Sequence, residues 1–366
     1  MYFDYVIVGA GLAGLTIAER LSQYGNVLII EKRNHIGGNV YDSYNQDRIL
    51  IQNYGPHTFH TSNQEVWDYL CQFTEWRKYT HRVKSYVGGQ YVPFPICRKT
   101  INQLYSLNLS ASEMIDFIDR KKVKIDTIKN SEDVVLSQAG EDIYKKFFYN
   151  FTIKQWGVSP RELDKTVISR IPFRTNNDTR YFTDKWQGQP LHGYTAMCQK
   201  MIDKPNIKVI LNTDYKEIIN DVQYKKLIYT GPIDYYYDYC YGKLKYRSIR
   251  LQFETYDKAY VQPAASCRYP GNEFKYTRIT EFKRLTGQKC RKTTILKEFP
   301  CFGDEPYYPY PTSDNKELYK QYAALAEKET DVVFAGRLAE YRYYDMDDVV
   351  ERALNVAKQM VNENLK

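Results

Sequence analysis

The most constraining feature of the sequence is a glycine-rich turn near its beginning. Residues 4–9 read Asp-Tyr-Val-Ile-Val-Gly, a short β-branched run that predicts a strand. Gly9, Gly11 and Gly14 follow the pattern Gly-x-Gly-x-x-Gly, apolar residues then recur at helical spacing, and a second apolar run ends at Glu31. A β-α-β unit with this turn and this acid is typical of a dinucleotide-binding domain.

Each element of this unit has a separate physical task. Gly9 permits a tight turn, Gly11 lets backbone approach a pyrophosphate at the helix N-terminus, and Gly14 lets the helix pack on the strand. Glu31 lies 17 positions after Gly14, close to the spacing of the acid that binds a ribose. The motif by itself leaves FAD and NAD both open.

The residues after Glu31 decide between the two cofactors. A basic cluster and the pair Gly37-Gly38 follow directly, and together they resemble the glutathione-reductase-type FAD proteins. No second Gly-x-Gly-x-x-Gly occurs in the sequence, so a built-in NAD(P) domain is not expected. We therefore predict an α/β protein with one FAD in a Rossmann-like domain.

Composition excludes several classes of protein. The 366 residues carry a scattered net charge of +8, which favours an anionic ligand and no nucleic-acid partner. No apolar run approaches the ~18 residues of a membrane span, so no membrane partner is expected. Seven scattered cysteines without a Cys-x-x-Cys pair, and an acid before the first apolar run, predict a cytoplasmic protein with reduced thiols. No metal site is predicted, because His57 and His60 have no cysteine or carboxylate ligand nearby in the sequence.

The pattern of helix and strand signals changes along the chain, and these changes predict the domains. Helix signals fill the middle, strand-like runs recur after it, and the last residues repeat apolar side chains on one helical face. We predict an FAD-binding domain with an inserted helical domain and an antiparallel sheet domain. The boundaries are 1–80, 190–245 and 328–366 for the FAD-binding domain, 97–165 for the helical domain, and 81–96, 166–189 and 246–327 for the sheet domain.

Further segments resemble one family in order and spacing. They are Tyr54–Thr61, Thr152–Gly157, Ser169–Arg174, Tyr276–Glu281, Pro306–Pro309, Gly336–Leu338 and Tyr341–Met346. From residue 4 to the final helix the chain resembles the UDP-galactopyranose mutases, flavoenzymes that interconvert the pyranose and furanose rings of a nucleotide-linked hexose. The resemblance implies a twisted antiparallel sheet, a mobile substrate loop in the helical domain, a homodimer, and a role in making cell-surface polysaccharide.

The resemblance also implies a mechanism. Reduced FAD attacks the anomeric carbon of a nucleotide-diphosphate sugar through N5 and expels the diphosphate, which returns after the sugar ring has opened and reclosed. The reaction is redox-neutral, so NAD(P)H or another reductant serves only for activation. UDP-galactopyranose and UDP-galactofuranose are the default substrate pair.

Site residues are carried over where the motifs match. Arg170 and Arg278 match the family's diphosphate-binding arginines, and His57 and His60 match its pair beside the flavin; we expect these four to be catalytic. Trp156 matches the tryptophan of the mobile loop. The other predicted substrate-binding residues are His81, Phe147, Phe151, Thr152, Tyr181, Arg268, Tyr308 and Tyr343. The predicted cofactor-binding residues are Gly9, Gly11, Gly14, Glu31, Lys32, Gly38, Asn39, Arg247, Arg337, Asp345 and Met346.

Three substrate-side positions depart from the family pattern. His81 and Arg268 stand where asparagine is usual, and Phe151 lacks the hydroxyl of a family tyrosine. We hypothesise that ring contraction is retained on another nucleotide sugar, namely arabinose, a 6-deoxyhexose, N-acetylgalactosamine or a heptose, with ordinary galactose specificity left open. Two alternatives from other classes are an FAD-dependent oxidase, against which the paired arginines argue, and a non-catalytic nucleotide-sugar sensor.

Overall fold

The fold is defined by a computed structural model, which describes residues 2–169, 171–303 and 305–364. The strands are β1 (Tyr2–Val8), β2 (Val27–Ile30), β3 (Asp42–Tyr44), β4 (Leu50–Gln52), β5 (Phe59–Thr61), β6 (Trp76–Lys78), β7 (Val83–Val87), β8 (Gln90–Phe94), β9 (Trp186–Pro190), β10 (Ile207–Ile210), β11 (Gln223–Tyr229), β12 (Tyr246–Tyr256), β13 (Ser266–Arg268), β14 (Arg278–Glu281), β15 (Thr293–Phe302), β16 (Tyr308–Pro309) and β17 (Val332–Phe334). The α-helices are α1 (Leu12–Leu21), α2 (Gln64–Cys71), α3 (Arg98–Tyr105), α4 (Ala111–Asp119), α5 (Ser131–Ile143), α6 (Asn150–Trp156), α7 (Thr166–Ser169), α8 (Tyr194–Ile202), α9 (Tyr215–Ile218), α10 (Ile233–Tyr236), α11 (Phe282–Thr286), α12 (Ser313–Ala326) and α13 (Met346–Asn364). No helix in this part of the chain is long and apolar enough to cross a membrane.

A five-stranded parallel sheet in the order β10-β2-β1-β11-β17 forms the dinucleotide-binding half. Helices α1, α8 and α13 pack on one face, and α9 with the end of α10 covers the other. Because both faces are covered, β2 and the second half of β1 are continuous apolar runs rather than alternating ones. The predicted Rossmann-like α/β fold is confirmed, and Val8, Ile30 and Tyr229 lie in register at the carboxyl edge.

The glycine turn works through close backbone contacts. Gly9 has φ +103°, and a Cβ there would lie 2.2 Å from Thr230 Oγ1. A Cβ on Gly14 would lie 2.0 Å from the carbonyl oxygen of Gly9. Gly11 is different, because a Cβ there would have Gly38 Cα, 3.9 Å away, as its nearest neighbour. Two of the three glycines therefore hold the helix against the strand, and Gly11 keeps space open beside it.

The second half of the molecule is a seven-stranded sheet in the order β16-β12-β15-β14-β13-β7-β8. All its neighbours are antiparallel except β13 and β7, which run parallel. The sheet is therefore mixed at one pair. These two strands are separated by a long stretch of chain rather than a tight turn, so no hairpin imposes antiparallel pairing on them.

The helical region packs its own core against this sheet. Phe94 from β8 joins Ile101, Met114, Ile143 and Phe147 in one buried cluster. Between α5 and α6 the chain makes a π-helical turn over Tyr144–Tyr149, and α6 ends at Gly157 with φ +78°. Helix α6 therefore leaves the helical core and carries its last turn toward the seven-stranded sheet, where it contacts β15.

The domain boundaries inferred from the sequence stay a prediction. The packing of α12 is relevant to one of them. Those boundaries place α12 with the antiparallel sheet. In the structure its fully buried Tyr322 packs with Ile233, Leu244 and Tyr341, beside the parallel sheet.

We expect Gly14→Ala to destabilise the protein and Gly11→Ala to leave its stability unchanged. The methyl group at position 14 meets the Gly9 carbonyl, so overpacking should lower the free energy of unfolding by about 1–3 kcal/mol. The methyl group at position 11 meets open space, so G11A should unfold like the wild type. Urea unfolding of the cofactor-free proteins measures both values, and equal losses in the two variants would contradict this account.

Candidate active site

A cavity of about 620 Å³ opens at the carboxyl ends of β1, β2 and β11. Both the glycine turn and the loop before β16 contribute to its wall. The predicted residues on this wall are Gly9, Gly11, Glu31, Lys32, Gly38, Asn39, His57, Arg337 and Met346. Residues predicted separately as cofactor ligands and as a flavin-side histidine thus line one continuous space.

The middle of the cavity is built for a phosphate group. Gly11 caps α1 without a side-chain hydrogen bond, so no side chain of the cap covers the N-terminus of the helix. Gly38 has φ +55°, and a Cβ there would lie 2.9 Å from Gly11 Cα. Beside them Asn39 Oδ1 accepts hydrogen bonds of 3.1 Å from both terminal nitrogens of Arg33. Backbone N–H groups and the helix dipole favour a negative charge at this point, and the adjacent Arg33 guanidinium also pairs with Glu305.

One end of the cavity is fitted for a ribose. The Glu31 side chain is 6% exposed, and its two carboxylate oxygens accept hydrogen bonds of 2.8 Å from the backbone N–H groups of Ala10 and Arg33. These bonds fix the carboxylate at the end of β2, where its remaining lone pairs can accept hydroxyl groups. Together with the phosphate cradle, this donor and acceptor set fits a dinucleotide such as FAD.

At the opposite end a neutral histidine and an arginine meet. His57 Nδ1 lies 2.9 Å from the carbonyl oxygen of Gly55, so Nδ1 donates and Nε2 is left as an acceptor. Burial, reinforced by the charges of Arg337 and Arg278, lowers the pKa of His57 to about 4. Arg337 donates to the backbone carbonyl groups of Tyr307 and Tyr344. The N-terminus of α13, at Met346, also reaches this end of the cavity.

Two more histidines lie on either side of Phe182. The His60 ring stacks on Phe182 with centroids 3.6 Å apart, and its Nδ1 is 3.2 Å from Asp184 but too poorly aligned for a hydrogen bond. His81 stacks on Phe182 at 6.0 Å and has its Nδ1 3.2 Å from the Tyr79 hydroxyl. Burial lowers the pKa of His81 to about 3, with Arg278 adding to the effect. His81 is therefore a neutral group at physiological pH.

Two arginines lie directly opposite each other on β13 and β14. Arg268 pairs in register with Arg278, which in turn pairs with Glu298 on β15. Arg278 donates Nε and Nη2 to the two Glu298 oxygens at 2.8 and 2.7 Å, and this fork raises the pKa of Arg278. The Arg278 guanidinium is thus fixed in orientation and partly neutralised.

Arg268 pairs with no carboxylate in the described part of the chain. Its guanidinium lies between the rings of Phe94 and Phe151, 3.8 Å from each centroid, and the side chain is 6% exposed. Nη1 is buried and makes no hydrogen bond within the described part of the chain. Burial, together with the charge of Arg278, lowers the pKa of Arg268 to about 10. A buried cation with an unsatisfied donor calls for an anionic or carbonyl group from a ligand.

An aromatic cluster links the arginines to the cavity. Tyr308 stacks on Tyr343 with centroids 5.7 Å apart, and Trp156 meets Tyr308 edge-on at 6.4 Å. The Arg337 guanidinium lies 5.7 and 5.3 Å from the two tyrosine centroids. Burial raises the pKa of Tyr308 to about 12, so its hydroxyl remains a hydrogen-bond donor. Tyr181 lies on the other side of the arginines, 5.5 Å edge-on from His81.

The remaining predicted residues lie away from the cavity or outside the described residues. Arg170 is one of the residues that the structure does not describe. Phe147 is fully buried in the helical core, Thr152 is buried, and Asp345 precedes α13 without lining the cavity. Arg247 does not line the cavity either, since it donates to backbone carbonyl groups of α6.

Sequence reasoning missed several residues that shape this site. Glu298 orients Arg278, and Phe94 and Phe182 support Arg268 and the histidines. Alternation along β15 would place Glu298 on one face, but its pairing with Arg278 depends on strand register. Lys154 lies inside the segment Thr152–Gly157, but the sequence does not mark it as a site residue because a lysine in a helix is ordinarily solvated.

Comparison with known proteins agrees with this architecture. The family described as UDP-galactopyranose mutase matches residues 146–343, and a NAD(P)-binding Rossmann-like domain matches residues 7–73. A crystal structure of a reduced UDP-galactopyranose mutase superposes with a TM-score of 0.77 at 18% identity, covering 98% of this chain and 96% of that one. At this identity the likeness shows the fold alone.

Two curated relatives extend over almost the whole chain. A probable UDP-galactopyranose mutase of Klebsiella pneumoniae is 38% identical, with 98% of this chain and 95% of the relative covered. A dTDP-fucopyranose mutase of Escherichia coli is 37% identical, with 98% of both chains covered. This chain therefore belongs to the UDP-galactopyranose mutase family.

Proposed function

We propose that this protein is a flavin-dependent mutase that interconverts the pyranose and furanose forms of a nucleotide-diphosphate sugar. The observation that carries the proposal is the arginine pair Arg268 and Arg278. Arg278 lies close enough to Tyr308 to affect its pKa, and Tyr308 packs near Arg337, which lines a cavity that fits FAD. Membership of the mutase family supports the same reading. An oxidase would need no diphosphate clamp beside its flavin.

The protein's own residues bind and orient both partners. Bound FAD in its reduced form supplies the nucleophile that the isomerisation needs. Gly11, Gly38 and Glu31 would hold its pyrophosphate and ribose, and the N-terminus of α13 would favour negative charge at the far end. His57 presents a neutral Nε2 at this end, where it can accept a hydrogen bond.

The arginines can stabilise the negative charge of the diphosphate during the reaction. The diphosphate must leave the sugar and later return, so its charge has to be held in one place during the interval. Arg278 offers a rigid fork because Glu298 fixes it, and Arg268 supplies a charge that no carboxylate neutralises among the residues the structure describes. We propose that both hold the diphosphate, with Trp156 and Tyr308 limiting the access of water.

The sugar is the less determined part of the substrate. The relatives named above act, by their names, on UDP-galactopyranose and on dTDP-fucopyranose, and their identities to this chain differ by one percentage point. We propose UDP-galactose as the default substrate and a dTDP-linked 6-deoxyhexose as the second candidate, which the substitutions at His81 and Arg268 favour. The homodimer and the cytoplasmic location stay predictions.

We expect Arg278→Lys to abolish most turnover without releasing the cofactor. Lysine keeps the charge but loses the fork that Glu298 fixes, so kcat should fall by about 100-fold. Turnover of reduced enzyme with UDP-galactose and dTDP-fucose, and the absorbance of bound FAD, are the measurements. The control is Arg250→Lys, an exposed arginine on β12 that should behave as wild type. Unchanged turnover in R278K would remove Arg278 from the mechanism.

We expect the double variant H81N/R268N to shift the substrate preference. The two substitutions restore residues usual in UDP-galactopyranose mutases, so the ratio of kcat/KM for UDP-galactose over dTDP-fucose should rise about tenfold or more. Chromatography of the pyranose and furanose products from both sugars measures the ratio. If the wild-type enzyme already turns over UDP-galactose at a normal family rate, with the ratio unchanged in the variant, the altered-sugar hypothesis is wrong.

We expect neither His57 nor His81 to titrate between pH 5.5 and 8 in the folded protein. Their pKa values are lowered to about 4 and about 3, whereas an unfolded chain protonates near pH 6.5. Acid therefore favours the unfolded state, and the free energy of unfolding should fall below pH 6.5 by up to about 1.4 kcal/mol per pH unit for His81. NMR of labelled histidines and urea unfolding at stepped pH test this, and the H81N variant should show a shallower acid loss.

A further inference from the structure

Helix α6 carries two residues that touch the substrate side of the site. Phe151 packs on the Arg268 guanidinium, and Trp156, at the other end of the helix, meets Tyr308 edge-on. The helix is short, with seven residues, and follows a π-helical turn. A helix of this length has little stability of its own, so contacts outside it must set its position.

Lys154 supplies the largest of these contacts. Its ammonium group lies 2.6, 2.7, 3.0 and 3.3 Å from the carbonyl oxygens of Tyr269, Gly271, Phe274 and Tyr276, respectively. All four carbonyl groups belong to the connection between β13 and β14, the strands that carry Arg268 and Arg278. One side chain of α6 thus gathers the loop that joins the two arginine strands.

This arrangement is unsuited to acid–base chemistry. An ammonium group has three donors, and here backbone carbonyl oxygens satisfy all of them, so no substrate atom needs its protons. Burial lowers the pKa of Lys154 to about 8, with the charge of Glu273 opposing the shift and that of Arg268 adding to it. Burying the Lys154 ammonium group is unfavourable, but its hydrogen bonds fix the β13–β14 connection against α6. This is the behaviour of a positioning residue.

A second contact holds the opposite side of the helix. Arg247 on β12 donates Nε to the Gln155 carbonyl oxygen at 2.9 Å and Nη2 to the Lys154 carbonyl oxygen at 3.2 Å. Its guanidinium also lies 4.3 Å from the centroid of the Phe302 ring. The last turn of α6 is thus held in two ways. The Arg247 side chain of β12 binds the backbone of α6, and the Lys154 side chain of α6 binds the β13–β14 connection.

We propose that Lys154 is a positioning residue that holds Phe151 against Arg268 and Trp156 against Tyr308, and so sets the affinity for the nucleotide part of the substrate. The inference rests on the proposed function. Lys154 acts only through other residues, because its own donors are occupied. Nucleotide binding should depend on it while FAD binding does not, since none of its partners lines the cofactor cavity.

The test compares Lys154→Met with a matched lysine in the same half of the molecule. Lys283 donates to two backbone carbonyl groups, those of Cys290 and Lys292, and touches neither α6 nor the arginine strands' connection. In FAD-loaded enzyme we expect K154M to raise the Kd for UDP, and for dTDP measured in parallel, by about tenfold or more. K283M should lower Tm but leave both Kd values unchanged.

Coupling to Phe151 separates positioning from general damage. If Lys154 acts by placing Phe151 and Trp156, the double variant F151A/K154M should weaken UDP binding by less than the product of the two single-variant fold-changes. In F151A/K283M the fold-changes should multiply as for independent sites. Multiplying fold-changes in F151A/K154M, or wild-type Kd values in K154M, would overturn the inference.

Two further outcomes are decisive. If K154M does not fold, Lys154→Arg serves in its place, because a planar guanidinium cannot converge on four carbonyl groups, and it should weaken UDP binding at unchanged FAD content. Wild-type binding by K154R would then overturn the inference. If the wild-type protein binds neither UDP nor dTDP, the proposed function fails first and the inference with it.

Discussion

The contact between Gly14 and the Gly9 carbonyl group is the constraint on which the rest of the structure depends. It brings helix α1 onto β1 without an intervening side chain, and so aims the N-terminus of the helix at the carboxyl edge of the parallel sheet. The cavity exists because that edge is also where β2 and β11 end. The flavin-side groups His57 and Arg337 then reach the same cavity from distant parts of the chain.

A second constraint is the burial of the positive charge of Arg268 beside that of Arg278. The seven-stranded sheet places Arg268 and Arg278 side by side, where their repulsion would be costly if nothing compensated it. Glu298 compensates Arg278, and two phenylalanine rings accommodate Arg268 without neutralising it. The fold thus keeps one buried positive charge available, and a diphosphate is the kind of ligand that uses it. The same sheet positions Lys154, so the substrate helix and the arginines share one framework.

The sequence predicted the dinucleotide half well and the substrate half less completely. Gly9, Gly11, Gly14 and Glu31 act through local geometry, so their spacing was enough to predict the fold around them. Arg247 is a different case: its role at the cofactor stays a prediction, and the structure shows it donating to the backbone of α6. An arginine makes the same pattern in the sequence whether it faces a ligand or a helix terminus. The parallel pairing of β13 with β7 was also beyond local reasoning, because it joins segments far apart in the chain.

The sequence by itself determined the fold class, the family and the type of cofactor, because glycine spacing and short motifs reflect backbone geometry that few side chains permit. Only the tertiary structure decided which groups are charged, paired and free at the substrate side. Strand register set Arg278 between Arg268 and Glu298. Burial made His81 neutral and, within residues 2–169, 171–303 and 305–364, left Arg268 Nη1 without a partner. Register and burial depend on contacts between distant segments, and a linear pattern of residues does not specify them.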